Sequence, residues 1–118
     1  MNKDMVQKLV SYIVSRAQEE GVFIGRTNLM KLLYLIDVEF YRHYKEILTK
    51  ADWEFFLYGP YDRALADVID ETPGVEAVLV EREGGKSYYH YKVSEGEGVY
   101  VTLEPGVIGI ASQIYEEW

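Results

Sequence analysis

The acidic residues of the segment LMKLLYLIDVEFYRHY are the first side chains whose type could support catalysis. Asp37 and Glu39 are two residues apart in this segment, and carboxylates can act as general acids and bases. On a helix, side chains at that spacing point in different directions, so a catalytic pair is not predicted. Asp37 is instead predicted to be a buried acceptor of a hydrogen bond from a tyrosine hydroxyl. A hydrolase that uses Asp37 is the enzymatic alternative.

Neither a metal site nor a catalytic nucleophile is predicted. The chain has no cysteine, and His43 and His90 lie far apart, on a predicted helix and a predicted strand. Metal ligands, in contrast, cluster at short spacings. The serines lie in no sharp strand-to-helix turn that would expose a nucleophile, and no helix follows Gly84-Gly85 to bind a phosphate. The sequence therefore predicts a non-enzymatic protein without metal or cofactor.

Tyrosines and a lysine give one flank of the same segment a different character. At about 3.6 residues per turn, one side of the predicted helix is core and carries Leu29, Leu32, Leu33, Ile36 and Phe40. The opposite side carries Lys31, Tyr34, Asp37, Val38 and Tyr41. A helix with apolar residues on one flank and aromatic residues on the other is usually covered on both.

Aromatic residues recur around Gly59-Pro60, in the segment FFLYGPYD. Tyrosine combines a large contact area, few rotamers and a polar tip, which is why it is enriched at protein interfaces. Two interpretations stay open: the rings bind a partner, or Tyr34 and Tyr58 close the core together with Asp37. The candidate partner-binding residues are Lys31, Tyr34, Asp37, Tyr41, Trp53, Tyr58 and Tyr61.

Two helices are predicted to precede this aromatic segment. Apolar residues recur at three- and four-residue spacing from residue 3 to about residue 20, where Gly21 ends the pattern. The second helix is predicted to begin with Thr27 or Asn28 as N-cap, because either side chain can accept a hydrogen bond from the first free amides. Both helices are expected to pack their apolar faces together.

A short strand and a third helix are predicted on either side of Gly59-Pro60. Residues 53–58 are rich in the aromatic residues that strands favour. Gly59-Pro60 is predicted to end the strand, since the residue before a proline leaves the helical region and proline suits a first helical turn. The apolar positions of the third helix are Tyr61, Ala64, Leu65, Val68 and Ile69.

The last third of the chain predicts a β-hairpin and a closing helix. Residues 77–83 and 87–93 flank Gly84-Gly85, the signature of a two-residue turn. The resulting pairs are Val80 with Tyr89 and Val78 with Tyr91. A third strand at residues 99–102 and a helix from Pro105 complete an α+β domain. Its helical core would carry a small antiparallel hairpin or three-stranded sheet, with a winged-helix-like topology as one arrangement.

Length and charge favour one small cytoplasmic domain with a protein partner. A chain of 118 residues predicts a single domain over residues 1–118. No signal peptide or membrane-spanning stretch is present, so no membrane partner is predicted. Twelve basic and twenty acidic residues give a net charge of -8, which disfavours nucleic acid and suits a basic protein partner. The same charge also suits plain solubility.

A DNA-binding transcription regulator is the alternative function, because a hairpin that follows three helices is typical of winged-helix proteins. The predicted third helix, DRALADVIDE, carries Arg63 alone against four acidic residues. Such a surface repels the phosphate backbone. The topology is therefore compatible with a scaffold that does not bind DNA.

The segment NLMKLLYLIDVEFYRHYKEILTKADWEFFLYGPYD, residues 28–62, resembles the core of the SocA-like Panacea antitoxin family, also met as phage-associated proteins. The resemblance lies in a K-L-x-Y-L-x-D helix, a hydrophobic-Thr step and an aromatic segment that ends in Tyr-Gly-Pro. The matching residues are Lys31, Leu32, Tyr34, Leu35, Asp37, Leu48, Thr49, Tyr58, Gly59 and Pro60. Of these, Leu32, Leu35, Thr49, Gly59 and Pro60 are assigned to the fold.

The resemblance implies a non-enzymatic module that neutralises a partner toxin by direct contact, and one branch of the family delivers its toxin to a protease as an adaptor. Relatives often have Gly and Pro in the loop before the Thr, where this chain has KEIL, residues 45–48. Many relatives also continue beyond the position of Trp118, and whether this chain is a member truncated at its carboxyl terminus is left open. The oligomeric state and the identity of the toxin are not predicted.

Overall fold

Four α-helices and two antiparallel two-stranded sheets make up the part of the chain that the structure describes. This computed structural model describes residues 1–57, 59–81, 83–85, 87–94 and 103–118. The elements are α1 (Lys3–Glu19), α2 (Arg26–Tyr44), β1 (Glu54–Phe56), β2 (Gly59–Tyr61), α3 (Arg63–Asp70), β3 (Val75–Glu81), β4 (Ser87–Val93) and α4 (Pro105–Glu117). The α+β class is confirmed. The strand predicted at residues 99–102 lies outside the described residues.

The core lies between α1 and α2, whose apolar faces meet as the three- and four-residue spacing predicts. From α1 it receives Val6, Leu9, Val10, Ile13, Val14 and Ala17. From α2 it receives Leu29, Met30, Leu32, Leu33 and Ile36. Phe40, predicted on the core side of α2, is half-buried and packs against the edge of this cluster. None of the described helices is both long enough and apolar enough to cross a membrane.

The second helix begins earlier than predicted, and neither Thr27 nor Asn28 is its N-cap. Gly25 is the N-cap, and it offers no side chain to the first turn. Asn28 lies inside the first turn, where its Oδ1 accepts a hydrogen bond from the Gly25 amide at 3.2 Å. A reciprocal side chain inside the helix thus replaces the expected cap, which places Arg26 and Thr27 in the first turn of α2.

Gly59 and Pro60 belong to a strand, so the prediction that they end a strand and start a helix was wrong. β1 and β2 are antiparallel, with Phe55 opposite Pro60 and Phe56 opposite Gly59. The backbone of Gly59 has φ +114°, a conformation that glycine adopts readily. Proline is tolerated because each strand of a two-stranded sheet has a free edge, where no amide is needed.

The third helix therefore begins at Arg63 and not at the proline. Asp62 is its N-cap, and Asp62 Oδ1 accepts a hydrogen bond from the Leu65 amide at 2.8 Å. The other carboxylate oxygen accepts from the Asp52 amide at 2.7 Å. Asp62 thus joins α3 to Asp52, two residues before β1, and Tyr61 lies in β2 outside the helix.

The β3–β4 hairpin exists, but its register is one residue away from the predicted one. Leu79 is opposite Tyr89, and Ala77 is opposite Tyr91. The last described pair is Glu81 with Ser87, and this register does not fit the predicted two-residue turn at Gly84-Gly85. This register turns Tyr91 towards the core, where its side chain is 1% exposed.

The closing helix α4 follows the predicted pattern and packs its apolar face on the core with Val107, Ile110, Ala111, Ile114 and Tyr115. Arg16 of α1 holds it in place. The Arg16 guanidinium donates to Glu116 Oε1 at 2.8 Å and to Ser112 Oγ at 2.9 Å, and it lies 4.5 Å above the Tyr115 ring. The hydrogen bond to Glu116 raises the pKa of Arg16 above its ordinary value although burial lowers it.

Candidate partner-binding surface

A buried carboxylate on α2 connects this helix to the chain that enters β1. Asp37 is 1% exposed. Its Oδ1 accepts from the Thr49 amide at 2.9 Å, and its Oδ2 accepts from Trp53 Nε1 at 2.8 Å and from the Thr49 hydroxyl. The predicted acceptor role is therefore found, and within the described part of the chain its donors are threonine and tryptophan and not a tyrosine. Hydrogen bonds to a carboxylate are about twice as strong as neutral ones.

Asp37 is buried, and its hydrogen bonds position Thr49 and Trp53. A buried carboxylate is costly unless donors surround it, and Thr49, itself fully buried, supplies two of them. Thr49 also orders the next turn, since its hydroxyl accepts from the Ala51 amide at 3.2 Å. The sequence predicted Thr49 as a local hydrogen-bonding residue of a loop and as part of a family signature. Its contact with Asp37 joins residues on either side of a loop, and the spacing of apolar residues does not predict such contacts.

Aromatic rings continue this connection from α2 to β1. Tyr34 meets Trp53 edge to face, with ring centroids 5.5 Å apart, and it meets Phe55 in the same way at 5.3 Å. Edge-to-face pairs are favourable because the positive edge of one ring faces the negative face of the other. Tyr34 and Trp53 are both half-buried. The aromatic flank of α2 is thus covered in part by β1.

Three consecutive large apolar residues are exposed where β1 ends. Phe55 is 66% exposed, Phe56 57% and Leu57 99%. Phe56 also contacts Tyr61 of β2 edge to face, with centroids 5.7 Å apart. Single exposed apolar residues are ordinary, whereas several large ones close together favour an interaction site. Phe55, Phe56 and Leu57 are called the hairpin tip below.

A groove of about 480 Å³ separates the hairpin tip from the start of α2. Arg26, Thr27 and Met30 of α2 line it, together with Phe56, Leu57, Gly59, Pro60 and Tyr61 of the hairpin and Arg63 of α3. Most of these side chains are apolar at the groove surface. A cleft of this size is within the range of about 300–1,000 Å³ that is typical of ligand sites.

The remaining predicted residues lie at different distances from this groove. Lys31 is exposed on α2, and Tyr61 is half-buried against the core. Tyr41 is 49% exposed, but it lies about two helical turns after Tyr34 and so away from the hairpin. Tyr58 lies outside the described residues. The structure thus brings Tyr34, Trp53 and Tyr61 to the hairpin and leaves Tyr41 apart.

An arginine, a tyrosine and an aspartate from three elements meet behind the groove, and sequence reasoning missed them. Arg26 donates to the Tyr91 hydroxyl at 3.0 Å and to Asp70 Oδ2 at 2.7 Å, while Tyr91 donates to Asp70 Oδ1 at 2.6 Å. Burial, with the hydrogen bond to Asp70 as the next cause, raises the pKa of Tyr91 to about 12. The Arg26 charge is therefore already compensated within the protein.

Comparison with known proteins bears on what this surface does. Residues 29–116 match the model of the family described as antitoxin SocA-like, Panacea domain. Neither the comparison with curated proteins nor the one with solved structures found a match. The matched range contains the Asp37–Thr49–Trp53 contacts and the hairpin tip, and it covers most of the 118 residues. The resemblance noted in the sequence is thereby confirmed, and the chain belongs to the SocA-like, Panacea domain antitoxin family.

Proposed function

We propose that the protein neutralises a toxin in the cytoplasm by direct contact, without catalysis, and that the hairpin tip makes this contact. The exposure of Phe55, Phe56 and Leu57 in direct succession carries the proposal. Exposing large apolar side chains to water is unfavourable at about 25 cal/mol per Å². A binding partner that covers the tip would remove this cost, and the family supports an antitoxin-like role in general.

Contacts with α2 hold the β1–β2 hairpin in place, which makes it a suitable binding element. Asp37 and Tyr34 hold Trp53 and Phe55 against α2 in the absence of a partner. A surface that is already ordered loses less conformational entropy on binding and so binds more tightly. In this proposal Lys31, Tyr34, Trp53 and Tyr61 border the contact. Tyr58 is included on the sequence pattern alone, while Asp37 positions the others.

The net charge of the protein is expected to affect the rate at which a toxin associates with it. The charge of -8 would attract a basic toxin at long range and raise the association rate more than the final affinity. Transfer of the bound toxin to a protease, as in one branch of the family, is compatible with the same contact. Toxin turnover, compared in cells with and without this protein, tests that adaptor role.

Co-expression with the product of the adjacent gene tests the proposed function, with toxin rescue and co-purification as measurements. The wild-type protein is expected to restore growth and to co-purify with the toxin. Leu57→Ser is expected to weaken binding about tenfold or more, because a buried leucine contributes about 1.5–3 kcal/mol. Leu57 is 99% exposed, so this substitution leaves the fold intact.

Leu79→Ser is the matched control, since Leu79 is 52% exposed on the other hairpin. It is expected to bind and rescue like the wild type. Absence of both co-purification and rescue with the wild-type protein would contradict the proposed function. Equal binding by the Leu57 and wild-type proteins would contradict the assignment of the contact to the hairpin tip.

A further inference from the structure

We propose that the groove beside the hairpin tip receives an acidic and apolar segment of the partner protein. One large apolar side chain of that segment would pack against Leu57 and Pro60, and its carboxylates would pair with Lys31 and Arg63. The inference rests on the proposed function, because it specifies the chemistry of the partner at the same surface. The net charge of -8 suggests a basic partner, whereas the segment that docks in this groove is acidic.

The shape and lining of the groove call for an apolar side chain. Its volume is about 480 Å³, and Phe56 and Leu57 form a wall that is exposed to water at present. Pro60, which is half-buried, adds further apolar surface. The surface therefore gains stability from an apolar occupant, since burial of apolar area is the main favourable term in protein association.

The cations at the groove are available for pairing. Arg63 lines the groove at the first position of α3 and is exposed, with no ion pair to any described residue. Lys31 is likewise exposed and unpaired within the described part of the chain. It is four residues after Thr27, which lines the groove, so both lie on one face of α2. Arg26 contributes less because Asp70 already compensates its charge.

The start of α2 adds positive potential of the same sign. Arg26 and Thr27 are its first residues, and the N-cap Gly25 makes no side-chain hydrogen bond to the first turn. The partial positive charge of a helix amino terminus favours a nearby anion. Asp52, Glu54 and Asp62 line a second groove, which shares Phe56, Tyr61 and Arg63 with the first. Among the described residues, no carboxylate lines the groove beside the hairpin tip.

Whether the local cations or the net charge of -8 has the larger effect on a docked segment depends on distance. Interactions between exposed charges are largely screened beyond about 10 Å at an ionic strength of 0.1 M. Acidic residues farther than this from a docked segment would act on it only weakly, whereas Lys31 and Arg63 would contact it. The approach of a partner and the composition of its docked segment can therefore have opposite signs.

A random library of short peptides displayed on phage tests the inference with the intact protein as bait. Enriched peptides are expected to combine Asp or Glu with a neighbouring Leu, Met, Phe or Trp. A synthetic peptide of that kind should lose affinity about two- to fivefold with Lys31→Gln or Arg63→Gln, as for exposed ion pairs. Leu57→Ser should reduce its affinity about tenfold or more. Replacing each acidic residue of the peptide by lysine should weaken binding to the wild type.

Arg42→Gln is the matched charge control, because the Arg42 side chain is 71% exposed in the last turn of α2. It is expected to leave peptide affinity unchanged. Enrichment of basic or uncharged peptides, no enrichment at all, or equal loss with Arg42→Gln would overturn the inference. A dimer in sedimentation velocity that Leu57→Ser dissociates would also overturn it, since a second copy would then cover the groove.

The same variants separate this inference from the proposed function. If toxin binding is lost with Leu57→Ser but unchanged with Lys31→Gln and Arg63→Gln, the acidic segment is wrong and the hairpin contact stands. If acidic peptides bind in the groove but Leu57→Ser still neutralises the toxin, the groove binds an acidic segment of another partner. In that case the proposed hairpin contact with the toxin is wrong.

Discussion

At the scale of single residues, Asp37 shows how a buried polar group can position an exposed hairpin. Its carboxylate accepts from three donors on two residues, Thr49 and Trp53. Those residues lead directly into β1 and the hairpin tip. A change at Asp37 should therefore alter both stability and the position of the tip.

We expect Asp37→Asn to lower the free energy of unfolding by about 2–3 kcal/mol, because an amide offers one acceptor oxygen and turns donors towards donors. Urea denaturation measures the change. Asp67→Asn is the control, since Asp67 is exposed on α3 and has no ion pair among the described residues. Equal stability of the two variants would argue against a structural role for the Asp37 contacts.

The second prediction concerns how the free energy of unfolding depends on pH through Tyr91. The phenol of an unfolded chain ionises near pH 10, whereas burial and Asp70 raise the pKa of Tyr91 to about 12 in the folded protein. A group whose pKa is raised by folding contributes stability that is complete below pH 10 and is lost as the pH approaches 12. The free energy of unfolding should therefore fall over this range.

Tyr91→Phe removes this contribution. Its free energy of unfolding at neutral pH should be lower by about 1–2 kcal/mol, the value of lost hydrogen bonds, and its decline above pH 10 should be shallower. Denaturant titrations across the alkaline range provide the measurement. Tyr89→Phe, at a tyrosine that is 46% exposed, should keep the wild-type decline. Parallel curves for wild type and Tyr91→Phe would contradict the prediction.

At the scale of elements, the β1–β2 hairpin depends on a glycine in a conformation that other residues rarely adopt. Gly59 has φ +114° and no atom within 4 Å of an added Cβ. Space is therefore available for a side chain, and backbone strain alone opposes it. This separates the conformational requirement of the hairpin from its packing.

We expect Gly59→Ala to lower the free energy of unfolding by about 1–3 kcal/mol, the cost of such strain. Gly109→Ala supplies a matched comparison, because Gly109 lies in α4, also with no atom within 4 Å of an added Cβ. That substitution should raise stability by up to about 1 kcal/mol, as alanine favours the helix. Thermal and urea unfolding of both variants should give opposite signs; the same sign would refute the explanation.

At the scale of the whole molecule, contacts between distant segments hold the helices together. Arg16 joins α1 to α4 through Glu116, Ser112 and the Tyr115 ring. Arg26, Asp70 and Tyr91 join α2, α3 and β4 in the same way. The surface near α2 and the hairpin thus depends on a frame whose parts are far apart in the sequence.

Arg16→Met should lower the free energy of unfolding by about 1–2 kcal/mol, because it removes charged hydrogen bonds and a cation–π contact. Amide hydrogen exchange in α4 should accelerate as well. Lys8→Met removes an exposed pair with Asp4 within α1 and should change stability by less than about 0.5 kcal/mol. Unchanged exchange in α4 would show that Arg16 does not hold this helix.

The sequence by itself determined α1, α2 and α4, because the spacing of apolar residues along a helix is a local property. It also carried the family signature. Tertiary structure decided the donors to Asp37, the strand that contains Gly59 and Pro60, and the register that buries Tyr91. The groove was equally unpredictable, since residues of α2, the hairpin and α3 line it together. Such features depend on contacts across long sequence separations, whose geometry only the packed chain defines.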